Sequence, residues 1–152
     1  MRIAIILTMT AWANHALSGL RSAGLRQGGA RRAVVGYLAS QRCCLSAQEI
    51  HDGIRDDGGA VGVASVYRAL DTLADLRLVQ RVDVGDGVAR FEPAGGGHHH
   101  HHLVCANCGK VEPFTDERLE RALEGAAGRL GYAMDQHEVV LRGACRMCRN
   151  AA

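Results

Sequence analysis

The sequence predicts an α+β protein: an N-terminal winged helix-turn-helix joined by a hinge to a small α/β domain. Three observations predict it. Helical spacing gives way to a two-stranded hairpin signal before residue 93; Ala94-Gly95-Gly96-Gly97 then interrupts both patterns; and beyond it a histidine run, His98 to His102, leads into Cys105-x-x-Cys108, answered by Cys145-x-x-Cys148. With 152 residues the chain has room for two small domains, each able to bury little apolar surface. The expected division is an extension at 1–13, a winged helix at 14–93, a hinge at 94–97 and a metal-binding domain at 98–152.

Met1-Arg2 followed by Ile3-Ala4-Ile5-Ile6-Leu7 loosely imitates a signal peptide, but the apolar stretch is short and carries a single positive charge. It reads as a flexible extension, with Met9 as an alternative natural start. Ala30 to Ala39 follows with apolar residues at helical spacing (Val34, Tyr37, Leu38). Ser46-Ala47-Gln48-Glu49 is a capping box that opens a helix burying Ile50 and Ile54 and ending at Gly58-Gly59. A third helix, Ala64 to Leu76, buries Val66, Leu70 and Leu73. Its opposite face presents Ser65, Arg68, Asp71 and Thr72, with Tyr67 at the margin. Leu78 to Val84 and Val88 to Glu92 alternate around Gly85-Asp86-Gly87, a hairpin signal. A winged helix of this outline places its last helix in the major groove of double-stranded DNA.

Beyond the hinge, strands are expected at His101 to Cys105 and Lys110 to Phe114. A helix follows at Asp116 to Leu130 with Leu119, Leu123 and Leu130 on one face, and a last strand at His137 to Gly143. The hydrophobic fraction of 47% indicates a folded chain, and no segment is long enough to span a membrane. A net charge of +2 gives no global basic field, although Arg21, Arg26, Arg31 and Arg32 cluster without an intervening acidic residue. Such a cluster serves equally as a solvated helix face. Six cysteines could make three disulfides in a secreted protein; the paired CxxC spacing fits metal better, in the reducing cytoplasm.

Two CxxC turns supply four thiolates and close a tetrahedron, the chemistry of a structural zinc (Zn2+) site rather than of two redox pairs. Three glycines followed by five histidines also look like a purification tag, but the run is internal and leads directly into Leu103-Val104-Cys105. On an extended chain His98, His100 and His102 point one way and His99 and His101 the other, so the run serves two separate metal sites. Glu120 and His137 are candidates to complete the His99/His101 set. For the His100/His102 set, Cys44 and Glu92 in the first half are available, and a site drawing on both halves freezes the hinge when filled.

With these features in place, the chain closely resembles the ferric uptake regulator (Fur) family of metal-dependent repressors over about residues 14 to 149. The resemblance rests on Gly62-Val63-Ala64-Ser65-Val66-Tyr67-Arg68-Ala69-Leu70, on the segment from His98 through Gly109-Lys110, and on Gly143-Ala144-Cys145-Arg146-Met147-Cys148. It implies a homodimeric repressor on a palindromic operator, paired through its second domain. Tyr67 and Arg68, with Ser65 beside them, would face the major groove, and Arg26 would reach toward the minor groove. Cys105, Cys108, Cys145 and Cys148 match the structural zinc ligands; His99, His101, Glu120 and His137 match a site inside the dimerisation domain; His100 and His102 match the hinge sensory site.

The other hinge ligands depart from the family's usual patterns. Cys44 stands where iron-sensing relatives have a histidine, and Glu92 where relatives have an acidic ligand. Gln80 and Ala94-Gly95 stand where some zinc sensors have an Asp and a Cys. A Cys, two His and a carboxylate suit zinc, so zinc sensing is expected first, ferrous iron (Fe2+) second, and nickel or peroxide behind. Peroxide sensors and several iron sensors carry an acidic residue where this chain has Pro113, with Glu112 one residue off register. The rival classes are a metalloenzyme, a metal buffer, and a DNA-binding protein whose zinc is structural only. No HExxH or helical His pair supports the enzyme.

Overall fold

The computed structural model describes residues 2–95 and 99–151, with side chains from Ala11 onward. Met1, Gly96 and Gly97 of the expected hinge, and His98 of the histidine run lie outside the described residues. The chain divides into two units, Met1–His98 and His99–Ala152.

The first unit opens with α1 (Arg2–Ser22) and α2 (Gly29–Ala39), followed by β1 (Leu45–Ser46), α3 (Ala47–Asp56) and α4 (Val63–Asp75). A hairpin of β2 (Val79–Asp83) and β3 (Ala89–Pro93) closes it, and the antiparallel sheet runs in the order β1-β3-β2. The stretch expected as a flexible extension, 1–13, is helical from Arg2, and Trp12 within it belongs to the core. Helix α1 starts at Arg2, and it places Trp12, Ala16 and Leu20, four residues apart, on one buried face. Short β1 also escaped the sequence reading; it pairs Leu45 with Phe91 and Ser46 with Arg90, tying the start of α3 to the wing.

Helix α3 begins where its capping box dictates. The Glu49 N–H donates to Ser46 Oγ at 3.2 Å, and the Ser46 N–H donates to Glu49 Oε2 at 2.7 Å. It stops at Asp56, and two residues on Gly58 takes a φ of +86° that a side chain would resist. At Gly53 the Tyr37 side chain lies over the helix, and a Cβ there would sit 1.9 Å from its hydroxyl, so any larger residue must displace that ring. Helix α4 buries Val66, Ala69, Leu70 and Leu73 against Val34, Leu38 and Ile50 and leaves Tyr67 half exposed. The expected groove-facing side therefore remains open.

The wing is pinned from within. Arg90 is buried, and its Nη1 donates to Asp86 Oδ1 at 2.8 Å, while the same oxygen accepts the Val88 N–H at 3.1 Å. The Arg90 hydrogen bond, working against partial burial, holds the Asp86 carboxyl below its usual range. A folded-state value below the unfolded one means that this stability is fully present above about pH 4 and is lost as pH falls through the folded value. Asp86→Asn is therefore expected to remove part of the acid sensitivity of the first unit and to lower its stability near neutral pH, read as melting temperature against pH.

In the second unit β4 (His101–Cys105) lies between antiparallel β5 (Val111–Phe114) and parallel β6 (Val140–Gly143). Helix α5 (Glu117–Arg129) connects β5 to β6, and a short α6 (Arg146–Asn150) ends the chain. Asp116 caps α5 by accepting the Arg118 and Leu119 N–H groups. The last strand is shorter than expected, starting at Val140 rather than His137. No residue of α5 is buried within the unit, and Leu130 at the end of its apolar side is largely exposed.

Candidate metal centres

Parallel pairing of β4 with β6 puts Cys105 opposite Gly143, and the Ala106 N–H donates to the Gly143 carbonyl at 2.8 Å. Residues remote in sequence thereby bring the two CxxC turns side by side. The first turn needs Gly109 at φ +74°; in the second, Cys145 is the N-cap residue of α6 and Cys148 lies in its first turn. The four sulfurs lie within 4.8 Å of one another, and no cysteine is disulfide-bonded. Cys108 Sγ and Cys145 Sγ are 3.9 Å apart. A tetrahedron with the usual Zn–S bonds has an edge of about 3.8 Å, whereas a disulfide needs about 2 Å. The four sulfurs fit a thiophilic cation.

The electrostatics point the same way. The Cys145 N–H donates to Cys105 Sγ at 3.3 Å, and this donor, followed by the Cys108 N–H, pulls the Cys105 thiol down to about 6. Hydrogen bonding with Cys145, then with Cys108, pushes Cys148 up to about 12. The Cys105 thiolate is stabilised by backbone donors, while Cys148 keeps its proton until a cation displaces it.

The second cluster joins β4, the first turns of α5 and the segment before β6. His101, fully buried, directs Nε2 to Glu120 Oε1 at 2.7 Å; His137 Nε2 lies 2.7 Å from Glu120 Oε2 and 2.9 Å from His99 Nε2. Two imidazole nitrogens at that distance can share only one proton, and His137 Nε2 cannot donate to His99 and Glu120 at once. His101 Nδ1 is buried without a hydrogen-bond partner. Burial, followed by repulsion from His137, lowers the His99 pKa. Burial pushes Glu120 up, but hydrogen bonds from His101 and His137 outweigh it and leave the carboxyl below its usual value. Three lone pairs and a carboxylate converging on one point fit a divalent cation of borderline character.

The expected hinge ligands are distributed between the units. In the first unit, Cys44 Sγ lies within 4.8 Å of a Glu92 carboxylate oxygen, and the Gln80 side-chain amide donates to Glu92. Hydrogen bonding with Cys43, followed by burial, pushes the Cys44 thiol up. In the second unit the His100 and His102 rings meet edge to face with centroids 5.0 Å apart. The expected alternation of the run therefore sorts His99 and His101 onto the Glu120 side and pairs His100 with His102.

On α4, Arg68 Nη2 donates to Ser65 Oγ at 3.1 Å and the Thr72 hydroxyl donates to the Arg68 carbonyl at 2.8 Å. Arg26 is exposed in the loop after α1, and its carbonyl accepts from Arg31 at 2.6 Å.

A winged helix and a sheet carrying two converging donor clusters are the parts of a metal-responsive transcription regulator. The Ferric uptake regulator family profile matches residues 22–142, and the chain belongs to that family. It is 31% identical over 113 residues to the ferric uptake regulation protein of Bacillus subtilis, covering 73% of this chain and 76% of that protein. The peroxide-responsive repressor PerR of Staphylococcus aureus is 28% identical over 136 residues, 90% of each chain. Among solved structures, the Vibrio cholerae ferric uptake regulator superposes with a TM-score of 0.72 at 32% identity, covering 84% of this chain and 98% of that one. No helix among the described residues is long and apolar enough to cross a membrane.

Proposed function

We propose that this protein is a zinc-responsive, homodimeric repressor acting in the cytoplasm on palindromic operators of metal-uptake genes. The carrying observation is the buried thiol of Cys44 beside the Glu92 carboxylate in the first unit. Cys44, Glu92, His100 and His102 act in this reading as one sensory ligand set, and sulfur within it favours zinc over ferrous iron. Cys105, Cys108, Cys145 and Cys148 hold a structural zinc, while His99, His101, Glu120 and His137 hold a second cation inside the dimerisation domain. A zinc ion held by Cys44, Glu92, His100 and His102 would act as a crosslink. Because two ligands come from each unit, filling the site restricts the spacing of the paired winged helices. Tyr67, Arg68 and Ser65 then meet the major groove, and Arg26 the backbone or minor groove.

A second reading, iron sensing, is favoured by the similarity to the ferric uptake regulation protein of Bacillus subtilis and by the nitrogen and oxygen donors of the His99 set. Titrating zinc and ferrous iron separately into chelator-treated protein that retains its knuckle metal, with binding to its own upstream DNA as readout, separates the two. Zinc is expected to switch binding on. Cys44→Ser is expected to raise the zinc requirement by at least the about 10–100-fold that loss of a mere supporting hydrogen bond costs a metal site. A response to iron alone sinks the zinc reading, and indifference to both leaves metals that only hold the fold.

A further inference from the structure

The proposed DNA surface contains a cation that the helix pattern does not reveal. Arg81 sits at the middle of β2, opposite Phe91. Its guanidinium lies 5.5 Å from the Phe91 ring centroid, and its Nη2 reaches Asp71 Oδ1 on α4 at 2.6 Å. Asp71 belongs to the exposed stripe of α4 formed by Ala64, Tyr67, Arg68, Asp71 and Asp75, at spacings of one helical face. Arg81 therefore reaches the stripe that carries Tyr67 and Arg68 through Asp71, held at one end by that carboxylate and along one face by an aromatic ring.

That arrangement has little to do with stability. Both side chains are more than half exposed, at 58% and 59%, and an ion pair so hydrated adds little to folding. It does preset a planar fork, with Nη2 committed to Asp71 and further N–H donors left over on a side chain that is 58% exposed. It also sets a positive charge against Asp71, a carboxylate on the face proposed to meet DNA.

We infer that Arg81 is a further DNA-contacting residue, gripping a backbone phosphate at the edge of the groove that α4 enters, with Asp71 as the positioning residue that holds its guanidinium. This rests on the DNA-binding reading above. The contact carries no base information, so it sets register and affinity rather than sequence preference.

The test uses the full-length, metal-loaded protein and two labelled duplexes: one selected by the wild type from a randomised pool, and a scrambled duplex of equal length. Affinity is measured by anisotropy across a salt series. For Arg81→Gln, one lost phosphate contact is expected to reduce the slope of log affinity against log salt by about 0.9, which at 0.1 M salt is a loss of about 8-fold. Both duplexes should weaken alike. Arg81→Lys is expected to keep the slope, as is Asp71→Asn, which retains the guanidinium. If the pair were only a strut between wing and helix, Asp71→Asn and Arg81→Gln would weaken binding equally with the slope unchanged. That result overturns the inference, and so does a loss confined to the selected duplex. Failure of the wild type to bind either duplex would instead remove the DNA-binding reading itself, whereas wild-type binding with an indifferent Arg81→Gln removes only this assignment.

Discussion

Replacing Cys145 by serine is expected to unfold the C-terminal unit while leaving the N-terminal unit folded. The asymmetry follows from where the apolar residues are. In the first unit α1, α2, α3 and α4 bury a shared core that includes Leu20, Val34, Ile50, Leu70 and Leu73. In the second, the buried residues among those described are only His101, His102, Val104 and Cys105, and α5 buries none. A domain with so little apolar burial needs a staple. The staple sits where it has most leverage. Cys105 ends β4, the central strand, while Cys145 follows β6 and caps α6, so the four sulfurs clamp the parallel β4–β6 pair against the end of the chain.

The size of the effect comes from the coupling of metal binding to folding. Structural zinc sites contribute an apparent free energy of about 10–16 kcal/mol near neutral pH, more than a small domain's entire stability. Losing one thiolate forfeits much of that. It also removes the Cys145 sulfur that lies 3.9 Å from Cys108. Chelator treatment strong enough to strip the knuckle metal from the wild type should give the same product. Amide hydrogen exchange reads the outcome directly: protection in β4 and β6 should vanish while α4 stays protected. A Cys145→Ser protein that keeps protected β4 and β6 amides and one equivalent of tightly held zinc would defeat the staple argument.

Much of this organisation is legible in the sequence, for identifiable reasons. The capping box at Ser46 and Glu49, the Gly-Asp-Gly turn of the wing and the alternation of the histidine run are local rules, and local rules survive folding. The metal donors are legible because their chemistry restricts residue type and spacing. What stayed hidden depends on contacts between distant segments. Strand β1 is two residues long and exists only because β3 offers it an edge. Arg81 looks like an ordinary exposed strand residue until α4 is seen to bring Asp71 beside it. Helix α1 was obscured for a different reason, because the apolar run from Ile3 to Leu7 draws attention away from the wider spacing of Trp12, Ala16 and Leu20.

That spacing sets the other large expectation: Trp12→Ala is expected to lower the unfolding free energy of the N-terminal unit by about 3–5 kcal/mol, the range for removing a buried aromatic side chain. Trp12 is 6% exposed, and its indole Nε1 donates to the Leu78 carbonyl at 3.0 Å in a buried setting. The same carbonyl accepts the Ala94 N–H at 3.0 Å. One oxygen thus ties α1 to the start of β2 and to the chain leaving β3, so a substitution near the N-terminus acts at the base of the wing. Seven residues on, Gly19 lets the helix approach closely enough that a Cβ would lie 3.1 Å from the Leu78 methyl groups. Trp12→Phe separates the contributions: it keeps most of the apolar volume but forfeits the indole donor, and should cost about 1–3 kcal/mol. Denaturant unfolding followed by circular dichroism measures both variants. If Trp12→Ala unfolds within about 0.5 kcal/mol of the wild type, as exposed-surface substitutions do, α1 is not part of the cooperative core and residues 1–13 revert to an appendage. If the loss is full-sized, removing the segment through Trp12 should destabilise the winged helix at least as much, because Ala16 and Leu20 would then be left on a shortened, fraying helix end.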